Sequence, residues 1–341
     1  MTAKNKKRLI ICCDGTWNTP EKTPVTNVVH MARAIKPRAS DGIQQTVFYD
    51  WGVGTDDKLD ALTGGAFGAG IDKNIQDAYR FLVHNYETGD ELWFFGFSRG
   101  AYTARSCIGL MRNTWLLRKD RADLISKAYH IYRTKWHADA ENAQHFREPN
   151  CRPVNIKFLG VWDTVGALGI PTEIFKSTDE GRYEFHDTSI SSIIENAYHA
   201  LAIDEHRKPF QPTVWKTKKD RQRTEQCWFA GVHSDIGGGY HEAGLSHIAL
   251  RWMAERASAC GLELDQNYLN SVCSENNEMC LHNSFSGAMR LLGAHPRPIG
   301  VTNFDETLHN SAEQRFINNP DYRPKNLREY LDGSEQISLP L

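Results

Sequence analysis

Short apolar runs alternate along the chain with amphipathic stretches of helical period. The first run, Arg8 to Cys13, stops at Asp14-Gly15-Thr16 and reads as a buried strand entering a turn. Thr46 to Asp50 reads as a second strand, ended by Trp51-Gly52-Val53-Gly54-Thr55. A glycine-rich stretch, Gly64 to Gly70, reads as a loop. Beyond it Ile71, Ile75, Ala78, Tyr79 and Leu82 recur every three or four residues and predict a helix ending near Tyr86 to Gly89. Glu91 to Phe97 then predicts a buried strand and Ala101 to Met111 a helix. The charged segment from about Arg118 to Pro153, with Tyr129, Ile131, Tyr132 and Trp136 as apolar anchors, reads as an inserted helical cap. Asn155 to Trp162 reads as a strand running into Asp163, Glu195 to Ala202 as a helix, Gln226 to Val232 as a strand and Leu245 to Ala259 as a helix. Polar loop signals dominate from Gly261 onward.

Strands alternating with helices predict an α/β fold: a mostly parallel sheet with helices on both faces and helical cap insertions. The expected organisation is one domain over residues 1–341, with the insertion at about 118–153 and a decorated region after about 261. With 40% hydrophobic and 24% charged residues, the composition is that of a soluble globular protein. A formal net charge of -2 gives no electrostatic case for nucleic acid as a partner. The basic run Lys4 to Arg8 is followed only by Leu9 to Cys13, too short for a signal peptide. No segment approaches the roughly 20 apolar residues of a membrane-spanning helix, so synthesis in the cytoplasm is expected. The 8 cysteines include no Cys-x-x-Cys spacing, and neither metal nor cofactor is expected.

Candidate chemistry enters at Gly96-Phe97-Ser98-Arg99-Gly100, which matches the G-x-S-x-G nucleophile elbow of α/β-hydrolases. There a strand turns sharply into a helix, and side chains two positions either side of the serine would collide with neighbouring backbone. Leu92 to Phe95 supplies the apolar strand before the turn, and Ala101 to Arg105 the helix start after it. A serine hydroxyl is a poor nucleophile until a histidine takes its proton, and the histidine needs a carboxylate to fix its tautomer.

Asp163 and His233 each directly follow an apolar strand, and the chain order Ser98, Asp163, His233 is that of the fold. Asp235 is the rival acid, or a partner of loop amides in the Gly237-Gly238-Gly239 turn, and His241 is the rival base. His199 and His206 lie on or near a helix with Asp204 and Glu205, and read as structural histidines. For the oxyanion hole, the elbow offers the backbone N–H of Arg99, and a second donor is expected from Gly15 or Thr16.

Six quoted stretches resemble one family. They are Cys13 to Asn18, Gly52 to Thr55, Gly96 to Ala101, Val161 to Gly166, Ala202 to Arg207 and Gly231 to Tyr240. The family is an α/β-hydrolase group, formerly of unknown function, that includes the catalytic domains of bacterial type VI secretion phospholipase effectors. The resemblance implies Ser98, Asp163 and His233 as the triad of a carboxylic ester hydrolase of esterase, lipase or phospholipase type. It also implies export by a dedicated secretion system and peripheral contact with a membrane. Such effectors carry membrane-engaging regions, and no strongly basic amphipathic helix is evident here. A soluble or small lipidic ester therefore fits these residues as well as a phospholipid does.

Other classes fit less well. The opening strand followed by Asp-Gly-Thr resembles haloacid-dehalogenase-type phosphatases, but the position of their nucleophilic aspartate holds Cys12. The glycines at 64–70 lack the Gly-Lys-Ser/Thr ending of a P-loop. A non-catalytic binding or toxin-associated protein that keeps the hydrolase fold is the remaining alternative.

Overall fold

The computed structural model of the chain describes residues 6–15, 18, 21, 23–52, 64–134, 141–166, 189–274, 279–286, 293–302 and 305–333. Nine strands lie among them: β1 (Lys7–Cys13), β2 (Gln44–Asp50), β3 (Glu91–Phe97), β4 (Leu116–Leu117), β5 (Cys151–Arg152), β6 (Ile156–Trp162), β7 (Asn196–Ala202), β8 (Arg223–Phe229) and β9 (Glu306–Leu308). Seven of these form one sheet in the order β2-β1-β3-β6-β7-β8-β9, and every neighbouring pair is parallel. The chain places β2 on one side of β1 and β3 on the other, so the strand order reverses at β1 and β3. In such sheets the crevice beyond the carboxyl ends of the strands at this reversal is where ligands bind.

The central strands β1, β3 and β6 are largely apolar because both faces of the sheet are covered there. Alternate side chains go to opposite sides: Leu9 and Ile11 of β1, Leu92 and Phe94 of β3 face one core, while Ile10, Cys12, Trp93 and Phe95 face the other. The first core is closed by α2 (Gly64–Asn85) and α3 (Arg99–Thr114), with α4 (Ile125–Arg133) and α5 (Glu141–Asn150) packed on them. The second is closed by α1 (Asn27–Ala34), α7 (Gly244–Ala259) and α8 (Gln266–Val272). The short α6 (His233–Gly237) follows β8. A third cluster joins Leu201 and Trp228 to Phe316 of α9 (Asn310–Asn318) and Leu327 of α10 (Lys325–Gly333).

Three sequence expectations are corrected. Asn196 to Ala202 is a strand and not a helix. Its three alanines favour helix, but seven residues are too few for that preference to prevail over pairing with β6 and β8. The stretch from Gly64 to Gly70 belongs to α2, whose apolar face from Ile71 to Leu82 holds the helix against the sheet despite the glycines. Beyond Gly261 the chain builds α8, β9, α9 and α10, each too short to give a clear period in sequence.

Trp136 lies outside the described residues. On α4, Tyr129 donates its hydroxyl to Asp72 of α2 at 2.6 Å. Among the described residues no helix is long and apolar enough to cross a membrane.

Candidate active site

Ser98 stands alone between the end of β3 and the start of α3, with φ 57° and ψ -122°. The fold over-determines this strained conformation. Ser98 N–H donates to Trp162 O at 3.0 Å, and the two elbow glycines sit where no side chain fits. A Cβ on Gly96 would lie 2.7 Å from Ala101 Cα, and one on Gly100 would lie 2.2 Å from Cys13 O. Gly96 is thus required by the turn itself, and Gly100 by the approach of α3 to the end of β1.

Asp163 follows β6 with φ 41°, and its N–H donates to Ala200 O at 2.8 Å. His233 opens α6, four residues after β8 ends at Phe229 and beyond a turn at Gly231, where φ is 131°. The structure brings the three predicted residues together. His233 Nδ1 lies 2.5 Å from Asp163 Oδ2, and His233 Nε2 lies 2.8 Å from Ser98 Oγ. All three are buried.

The aromatic rings of Phe97 and Phe210 flank the imidazole, with centroids 4.6 and 4.9 Å away. Burial pushes the His233 pKa down from its ordinary value, against the opposing pull of Asp163. Burial alone would raise the Asp163 carboxyl, but the Arg297 charge and the His233 hydrogen bond outweigh it and hold the group well below the ordinary carboxylate range. An ionised Asp163 fixes the tautomer: neutral His233 donates Nδ1–H to the carboxylate and presents Nε2 as an acceptor to the serine hydroxyl.

Sequence reasoning missed two further groups. Arg297 is fully buried, with Nη1 2.6 Å from Asp163 Oδ1 and Nη2 3.0 Å from Oδ2. Its signal in sequence is slight, an arginine between Pro296 and Pro298 in a stretch read as loop. Glu205, also fully buried, accepts from His233 N–H at 3.3 Å and Ser284 Oγ at 2.9 Å, and holds Arg207 in a two-pronged ion pair.

The rivals are placed elsewhere. Asp235 accepts from Val232 N–H at 3.0 Å and pairs with His282 Nδ1 at 2.6 Å, which binds the 279–286 segment rather than the glycine turn. His241 is exposed. His199 lies on β7, where its Nε2 accepts from Thr164 N–H at 3.0 Å; burial lowers its pKa to about 3 and keeps it neutral.

At the end of β1, Gly15 N–H donates to Asp14 Oδ1 at 2.6 Å, while Thr26 and Tyr49 hydroxyls donate to Asp14 Oδ2 at 2.7 and 2.5 Å. Thr16 lies outside the described residues. Arg99 is the first residue of α3, so its N–H belongs to the helix terminus where partial positive charge gathers. Among the described residues no cluster of three or more His, Cys, Asp or Glu is placed to hold a metal.

A seven-stranded parallel sheet with helices on both faces, and a strained serine where β3 turns into α3, defines an α/β-hydrolase-like protein. The chain belongs to the family of type VI secretion phospholipase effector Tle1-like catalytic domains, whose model matches residues 7–256.

An uncharacterized protein of Saccharomyces cerevisiae is 29% identical over 256 residues, covering 65% of this chain but only 36% of the yeast protein. Solved structures give weaker likenesses. An uncharacterized protein from Pseudomonas aeruginosa superposes with a TM-score of 0.46 at 20% identity, over 76% of this chain and 46% of its own. The Tle1 effector bound to the VgrG spike of the type 6 secretion system gives 0.48 at 15% identity, over 89% of this chain and 83% of its own. This chain therefore spans about a third of the yeast protein and under half of the Pseudomonas one.

Proposed function

We propose that the chain is a serine hydrolase that cleaves carboxylic esters through an acyl-enzyme, with Ser98 as nucleophile, His233 as general base and then general acid, and Asp163 as the residue that orients the imidazole. The observation that carries this reading is the unbroken hydrogen-bonded chain from Ser98 Oγ through His233 to Asp163. His233 Nε2 takes the hydroxyl proton as Oγ attacks the ester carbonyl. The same proton goes to the departing alcohol, and water then releases the acid by the reverse sequence.

The oxyanion would be held by the N–H of Arg99 and by a second amide in the turn after β1. The Gly15 N–H is engaged by Asp14, which favours Thr16 over Gly15 for that second donor. Family membership supports lipid esters, including phospholipids, as the substrate class, together with delivery through a secretion apparatus and peripheral contact with a membrane.

The test is labelling of the purified protein with a fluorophosphonate, read by intact mass and peptide mapping, beside the Ser98→Ala variant. A single adduct on Ser98, absent from the variant, is the expected result. An unlabelled wild type, under conditions that label a control hydrolase, would leave the non-catalytic binding protein as the better reading.

A further inference from the structure

Asp163 has all its acceptor capacity filled. Oδ1 receives Arg297 Nη1 at 2.6 Å and Ala202 N–H at 3.1 Å; Oδ2 receives His233 Nδ1 at 2.5 Å and Arg297 Nη2 at 3.0 Å. The guanidinium is in turn fixed by Ala202 O at 2.9 Å and by Phe210 O, and neither Arg297 nor Asp163 has any solvent exposure.

Its backbone is equally constrained. Pro296 and Pro298 hold the segment extended. His295 N–H donates to His206 O at 2.8 Å, and Asn326 Nδ2 of α10 bridges Arg297 O at 2.9 Å and Ile203 O at 3.0 Å. Arg297, its flanking prolines, His295 and Asn326 lie beyond residue 256, where the family match ends.

We propose that Arg297 is a positioning residue of the hydrolytic site: it locks the plane of the Asp163 carboxylate and cancels that carboxylate's charge beneath His233. The proposal rests on the reading of Ser98, His233 and Asp163 as the reacting chain. Its consequence follows from charge alone. With Arg297 present, protonating the Asp163–His233 pair takes a buried site from net zero to net positive. Without it, the same step takes the site from net negative to zero, which burial favours. The pair must therefore gain its proton at higher pH once Arg297 is neutralised, whichever partner carries it.

The other charged groups around the pair already have partners: Glu205 is matched by Arg207, and Arg105 lies over the Trp215 ring and donates to Thr213 O. His199, buried beside Thr164, stays neutral. None of them can substitute for Arg297 at the carboxylate.

The experiment is the pH dependence of the fluorophosphonate labelling rate at Ser98 in wild type, Arg297→Gln and Arg297→Lys, each checked for folding by circular dichroism. In Arg297→Gln the acid limb should move up by roughly one pH unit, the scale of effect that a neighbouring charge exerts. In Arg297→Lys, which keeps the charge but not the fork, the limb should stay and the plateau should fall about tenfold or more.

A folded Arg297→Gln protein with an unmoved limb overturns the charge role. If that variant does not fold, an Arg297→Lys plateau equal to wild type overturns the positioning role. Wild-type protein that labels nowhere removes instead the underlying assignment of Ser98, and so separates the two failures.

Discussion

Gly100 is in backbone contact with the end of β1: a Cβ there would lie 2.2 Å from Cys13 O and 2.4 Å from Asp14 O. The atoms met are main chain on a central strand, so no rotamer change relieves the overlap. Gly100→Ala should therefore move α3 or β1, disturb the serine turn, and cost on the order of 2 kcal/mol or more, the upper part of the range for overpacking. Gly166 has nothing within 4 Å of its own added Cβ, and Gly166→Ala should leave stability unchanged within about 0.5 kcal/mol. Thermal melts of the two variants test the contrast, and equal melting temperatures would remove the steric account of the elbow.

The two candidate acids have different partners, and that difference predicts different losses. Of the two, Asp163 alone reaches His233, so Asp163→Asn should misorient the imidazole and lower turnover by up to about 10⁴-fold; it also leaves the buried Arg297 charge uncompensated, so the variant should melt at a lower temperature than wild type. Asp235 instead holds His282, which also lies 3.3 Å from Glu242 and stacks on Tyr240. Asp235→Asn should loosen the 279–286 segment and cost less than about tenfold. Rates of the two purified variants on one chromogenic ester decide it: a larger loss in Asp235→Asn would exchange their roles.

Burial between Phe97 and Phe210 lowers the His233 pKa, and a base with a lowered pKa remains neutral in more acidic solution. The labelling rate of Ser98 should therefore hold its plateau as pH falls through 6.5, the ordinary histidine value, and decline only below it. A limb centred above that value would mean that the pull of Asp163 outweighs desolvation at this imidazole.

The elbow is legible in the sequence because its signature is contiguous: two glycines and a serine between an apolar strand and a helix. The same is true of Asp163 and His233, which follow apolar strands in the chain order of the fold. What escaped depends on contacts distant in sequence. β7 is a strand because β6 and β8 lie on either side of it, although Ala197, Ala200 and Ala202 favour a helix when taken alone. Arg297 reaches Asp163 across 134 positions, and nothing in its neighbourhood except two prolines distinguishes it from a loop arginine. Glu205 carries no sign in sequence that its carboxylate meets the His233 amide, through a turn that follows β7.

Asp14 ties the stability of the fold to pH. Burial raises its carboxyl to about 6, despite hydrogen bonds from Tyr49, Thr26 and Gly15 that favour the ionised form. In the unfolded chain the same group titrates near 3.9. Between the two values the folded state holds a proton that the unfolded state has lost, so stability falls as pH rises. The contribution is fully present below about pH 4 and lost through about pH 6, on the order of 2–3 kcal/mol in all. Asp14→Asn removes this titration while keeping an oxygen to accept from Gly15 N–H, and the Thr26 and Tyr49 hydroxyls can turn to meet the new amide. The melting temperature of Asp14→Asn minus that of wild type should therefore climb between pH 4 and 6 and level off above. Asp204 titrates in both proteins and cancels in the difference. A difference that stays flat from pH 4 to 8 would show that Asp14 is already ionised at low pH, with the three donors and not burial controlling it.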